Sequence, residues 1–115
     1  MSAPLMNPVL DREMALSRVG GDAELLKEIA VLFLGEYPKI LDELHAAAVR
    51  GDAAGLERTA HSLKGSVSNF GASAVVDAAR KLEAMGRARQ IEQAAPLIGA
   101  LEAALAALAQ ELQAL

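Results

Sequence analysis

Between Ile91 and Leu115 the apolar residues recur at steps that alternate between three and four: Ile91, Ala94, Ile98, Leu101, Leu105, Leu108, Leu112 and Leu115. This is the spacing of one face of an α-helix, and of a seam that packs against other helices. A strand would need a period of two. A helix with so continuous an apolar stripe needs partners to cover it, so the remainder of the chain must supply them.

It does so in blocks separated by glycine and cap residues. Asn7-Pro8 reads as an N-cap followed by proline at the first helical position, opening a short helix over about 8–19 that Gly20-Gly21 stops. Asp22 can cap a long block over 22–50, where Leu26, Ile29, Phe33, Tyr37, Ile40 and Leu44 keep helical spacing. Pro38 lies inside that block and should remove one backbone hydrogen bond and kink it. Gly51 reads as a stop and Asp52 as the next cap, for a helix over 52–70. A further block over 73–86 places Val75, Ala79 and Leu82 on one side, with Gly86 as its stop. The last runs over 91–115. Hydrophobic residues make up 53% of the 115-residue chain and aromatics only 3%, with alanine and leucine dominant, which favours helices over strands. The fold expected is all-α, a single domain built as an antiparallel four-helix bundle with a short additional N-terminal helix.

Composition also removes several functions. The chain has no cysteine, so no disulfide framework and no thiolate metal site. Its net charge of −4 argues against nucleic-acid binding, which wants a basic surface. Glu92, Glu102 and Glu111 interrupt the most apolar segment, which argues against a membrane span, and no signal-peptide pattern opens the chain. A cytoplasmic monomer is the expectation, and the initial methionine fits a free-standing protein. His45 and His61 lack the spacing of a helical metal site.

The block over 52–70 carries one odd stretch, HSLKGSVSNFGA, with a glycine in a helix interior. That glycine costs roughly 0.5–1 kcal/mol relative to alanine. With about 100° per residue and His61 at zero, Gly65 falls near +40°, Ser68 near −20°, Arg58 near +60° and Lys64 near −60°. Leu56, Ala60, Leu63, Val67 and Phe70 fall from about −100° round to 180°, on nearly the opposite face. His61 should therefore face solvent between two cations, with small residues along the same strip. An uncharged imidazole is a nucleophile near neutral pH, and the flanking cations are expected to disfavour a second proton on it. The same cations can pair with an arriving phosphoryl group, and Gly65 and Ser68 leave room for the molecule that brings it. Phosphoryl transfer asks mostly for positioning and charge neutralisation, which such a strip can provide. An enzyme using His61 as general base finds little support, because no cluster of a second acid, an oxyanion site and a pocket is evident around that face.

Residues 60–72, AHSLKGSVSNFGA, resemble the signature of histidine-containing phosphotransfer (HPt) domains: histidine, then x-Leu-Lys-Gly, small residues, and an Asn-hydrophobic-Gly-Ala close. Residues 19–44 are similar to the family's second helix and its lead-in, and residues 50–61 to the approach to its histidine. Phe70 stands where leucine is more usual. The resemblance implies that His61 carries the phosphoryl group through Nε2, that Lys64 stabilises it, that Arg58 matches a basic residue one turn earlier, that Gly65 permits docking, and that Asn69 and Gly71 shape the following turn. It implies a phosphocarrier without ATPase or kinase activity of its own, relaying phosphate between receiver-domain aspartates of response regulators and a hybrid sensor histidine kinase. Mg²⁺ would belong to the partner receiver, and the chain itself would need no cofactor. No glycine-rich phosphate loop or kinase ATP-binding box is present. The alternative is a helical regulatory module that binds receivers or kinases without carrying phosphate.

Overall fold

A computed structural model describes residues 9–115. Its elements are α1 (Arg12–Arg18), α2 (Ala23–Arg50), α3 (Ala53–Ser68), α4 (Ser73–Ala88) and α5 (Ala94–Gln113), the last preceded by a 3₁₀ turn, Ile91–Gln93. No strand occurs among the described residues. α3 packs on α2 and α4, and α5 closes the ring against α2 and α4. Neighbours run antiparallel. Phe33 near the start of α2 meets Phe70 just past the end of α3, with ring centroids 5.4 Å apart and edge-on geometry. The expected four-helix bundle with a short extra helix is the fold observed.

Each long helix buries the stripe its sequence spaces out. Leu56, Ala60, Leu63 and Val67 of α3 are fully buried, as are Val75, Ala79 and Leu82 of α4 and Ile98, Leu101, Leu105 and Leu108 of α5. The segment Ile91–Gln113 is long and apolar enough to cross a membrane; in the bundle one face of it, with Ile98, Leu101, Leu105 and Leu108, is buried against the other helices. Phe70 is fully buried, so the departure from leucine is a matter of core packing.

Several boundaries differ from the sequence expectation. α1 starts at Arg12, not near residue 8, because Asp11 is its cap: the Asp11 carboxylate accepts from the Met14 amide at 3.0 Å. Asn7 and Pro8 lie outside the described residues. α2 runs unbroken through Pro38, which sits on an exposed face where its ring meets solvent. The Asp22 and Asp52 caps form as expected, each side chain accepting an amide three residues on. Gly86 does not end α4, which continues to Ala88. A Cβ at Gly86 would lie 2.6 Å from the Glu57 nitrogen and 2.7 Å from the Ala53 oxygen. The missing side chain is what lets the backbones of α3 and α4 approach this closely. The final α-helix begins at Ala94, after the 3₁₀ turn, and not at residue 91.

The chain entering α1 is pinned to the far end of the bundle. Both oxygens of Glu111 accept backbone amides, from Leu10 at 2.8 Å and Val9 at 2.9 Å. The Asp11 amide donates to the Phe70 carbonyl at 3.0 Å. Gly71 turns the chain between α3 and α4 with φ +60°, where a side chain would be strained, and a Cβ there would meet the Asp11 side chain at 2.7 Å. The turn that ends the histidine helix is thereby fixed against the segment leading into α1.

Candidate functional site

α3 presents His61 on its outer crest, because Ala60, Leu63 and Val67 take the opposite face into the core. The His61 side chain is 66% exposed. Its Nδ1 lies 2.8 Å from Oε2 of Glu83, a residue of α4 that is itself buried. Lys64, one turn along α3, donates from Nζ to the other oxygen, Oε1, also at 2.8 Å. Arg87, one turn along α4, donates from Nη2 to Oε2 at 3.2 Å and from Nε to Glu57 at 3.1 Å.

A buried carboxylate is costly unless paired and hydrogen-bonded. Glu83 has three donors, and its pKa lies below the ordinary carboxylate value. The Lys64 hydrogen bond lowers it most, the His61 bond adds to this, and burial opposes them. An ionised carboxylate can only accept hydrogen bonds, so the proton shared with His61 sits on Nδ1. In the neutral ring Nε2 then holds a free lone pair. Among the described residues nothing bonds to Nε2.

The face therefore holds an acid beside the histidine. Glu83 arrives from α4, where sequence spacing within α3 could not register it. The charge nearest the ring is also a carboxylate. Lys64 acts on the site first through Glu83, and Glu83 places the ring proton.

The remaining residues spread along the same crest. Gly65 is exposed, and a Cβ there would meet nothing within 4 Å, so close helix packing is not its reason for being glycine. Ser68 turns its hydroxyl inward, donating to the Lys64 carbonyl at 2.7 Å. Asn69 caps the end of α3 and is exposed. Arg58 lies on the other margin from Lys64, lining a groove between α2 and α3 with Glu43, Arg50, Asp52, Thr59 and Ser62. It does not join the Glu83 cluster, and Glu57 pairs with Arg87 and not with Arg58. His45 bonds Glu102 across α2 and α5 at 3.3 Å, away from this cluster. No group of three His, Asp or Glu side chains is placed to hold a metal ion among the described residues.

A helical bundle that holds one histidine out to solvent, with a buried carboxylate behind its ring, is built as a carrier of small groups between proteins. The Hpt domain model matches residues 28–111, and the chain belongs to that family, whose members are phosphocarrier modules that exchange phosphoryl groups with receiver domains and histidine kinases. Its function is histidine phosphotransfer in a phosphorelay. Among solved structures, the chain is 31% identical to histidine-containing phosphotransfer protein B (HptB) from Pseudomonas aeruginosa PAO1, covering 96% of this chain and 99% of that one with a TM-score of 0.84. The HPT domain of a sensor hybrid histidine kinase from Shewanella shares the fold at 20% identity, with 91% of each chain covered and a TM-score of 0.79. None of the curated proteins compared with the chain matches it.

Proposed function

We propose that His61 is the residue that carries the phosphoryl group, accepting it from and returning it to an aspartate of a receiver domain. One observation carries this reading: Nδ1 is tied to an ionised carboxylate while the opposite side of the ring is open to solvent. The Nε2 lone pair attacks the phosphorus of the partner's aspartyl phosphate. The Nε2–P bond forms as the P–O bond breaks, and the aspartate leaves with the electron pair as a carboxylate. Nδ1 keeps its proton, so the ring becomes positive, and Glu83 lies against that charge. The reverse sequence returns the group.

Lys64, 28% exposed on its four-carbon stem, is the cation that can turn from Glu83 to the phosphoryl oxygens. Arg58 meets the acidic partner from the opposite margin and favours encounter. Gly65 and the inward-turned Ser68 leave the crest low enough for another domain to reach the ring. Asn69 and Gly71 shape the turn that ends the helix. Mg²⁺ is supplied by the receiver. The protein has no kinase or ATPase activity of its own and works as a cytoplasmic monomer.

The regulatory-module alternative is not favoured, since a module that only binds has no use for a histidine tied to a buried carboxylate. Incubation with a receiver domain bearing labelled aspartyl phosphate tests the proposal. Label that is acid-labile and base-stable is expected on the wild type and absent from His61→Gln. Such label persisting in His61→Gln overturns the assignment.

A further inference from the structure

The two oxygens of Glu83 are not equivalent. Oε1 takes Lys64 alone, whereas Oε2 takes both the His61 ring and Arg87. In the reading above Lys64 leaves Glu83 when a phosphoryl group reaches Nε2. Its departure bares Oε1 but leaves untouched the oxygen that receives the His61 proton. Arg87 is the cation that stays.

We propose that Arg87 is a positioning residue, holding the Glu83 carboxylate oriented toward His61 Nδ1 while Lys64 is engaged elsewhere. The proposal rests on the assignment of Lys64 to the phosphoryl group, but the property it assigns to Arg87 belongs to the resting protein and can be read there.

Three features suit Arg87 to this task. A guanidinium keeps its charge at any working pH. Its fork is fixed at two points, by Nε on Glu57 of α3 and by Nη2 on Glu83. Glu57 lies one turn before His61, so Arg87 is anchored to the helix that carries the histidine independently of Lys64. The Arg87 side chain is 65% exposed and its bond to Glu83 is longer than that of Lys64. It is therefore the weaker of the two cations and shows its effect when the stronger is gone.

The experiment measures the His61 tautomer by ¹⁵N NMR of the ring nitrogens in the unphosphorylated full chain. Lys64→Gln imitates the departure of the lysine. In that variant the proton is expected to remain on Nδ1. In Lys64→Gln with Arg87→Gln the ratio of Nδ1–H to Nε2–H should fall by about threefold to tenfold, the effect of losing a charge-assisted hydrogen bond that is partly exposed. Arg87→Lys in the same background should restore part of the ratio, because lysine at i+4 can still reach Glu83. An unchanged ratio in the double variant, with its helical circular dichroism intact, overturns the proposal, as Arg87 would then only fasten α4 to α3. Because no phosphate enters the measurement, it stands or falls separately from phosphorylation of His61.

Discussion

Glu83 on α4 accepts the Nδ1 proton of His61 on α3 across 2.8 Å. The pair joins two helices that follow each other in the chain, and it makes the reactive nitrogen a product of packing. Glu83→Gln keeps an oxygen that can accept the same proton but removes the charge that Lys64 and Arg87 also bind. Transfer to and from a phosphorylated receiver should fall at least about tenfold, equivalent to about 1.4 kcal/mol in the barrier. Single-turnover transfer rates for the two proteins at equal receiver concentration provide the check. Equal rates would show that the negative charge of Glu83 adds nothing to transfer beyond the hydrogen bond that a glutamine oxygen also accepts.

The same carboxylate should leave a mark on stability. Its folded pKa lies below the ordinary value of 4.5, because ionised Glu83 is favoured by Lys64 and His61. A group with a depressed folded pKa contributes stability that is fully present above the unfolded value and is lost as pH falls through the folded one. Chemical denaturation of the wild type and Glu83→Gln should show a gap at neutral pH that narrows as pH drops below 4.5. Other carboxylates titrate in both proteins, so the difference isolates Glu83. A gap that stays constant with pH would mean that the glutamine merely packs badly.

Periodicity within α3 was enough to place His61, because the core stripe of Leu56, Ala60, Leu63 and Val67 leaves only one side for the ring. Glu83 needed a second helix. Its signal was in the sequence nonetheless: it falls about 40° from Ala79 around α4, inside the buried stripe, where a lone charge demands a partner. Gly86 was misread for a related reason. A glycine after an apolar stripe can end a helix or admit a neighbouring backbone, and only the position of α3 distinguishes these. The caps at Asp22 and Asp52 were legible because capping is local. The start of α1 was not, since Asp11 is held partly by the carbonyl of Phe70, far along the chain.

Gly65 lies in open space, which separates its effect on the helix from its effect on access. Gly65→Ala should raise stability by about 0.5–1 kcal/mol, the usual gain at an exposed helical site. Gly65→Leu should be no less stable than wild type, yet it raises a bulky side chain one turn beyond His61 on the same strip. Thermal melts should move up or stay level, while transfer from a receiver drops sharply in the leucine variant. Transfer that tolerates leucine would remove access as the reason for this glycine.

Gly86 sets the opposite case, with the added atom inside the α3–α4 interface. Alanine ordinarily gains about 1 kcal/mol over glycine in a helix. Here its Cβ would lie 2.6 Å from the Glu57 nitrogen and 2.9 Å from its Cα. Those atoms are backbone and cannot rotate aside, so the helices must part, at a cost of about 1–3 kcal/mol typical of overpacking. The clash therefore outweighs the propensity, and Gly86→Ala should melt at a lower temperature than wild type. The displacement falls one turn from His61, at the level where Arg87 bridges Glu57 and Glu83. Widening the interface there should lengthen the His61–Glu83 hydrogen bond, release part of the ring proton from Nδ1 and slow transfer. Measuring the melt and the ring ¹⁵N shifts on one sample separates the two effects. A destabilised variant with an unaltered tautomer would show that the dyad tolerates a looser interface, and that α3 and α4 are packed closely for stability alone.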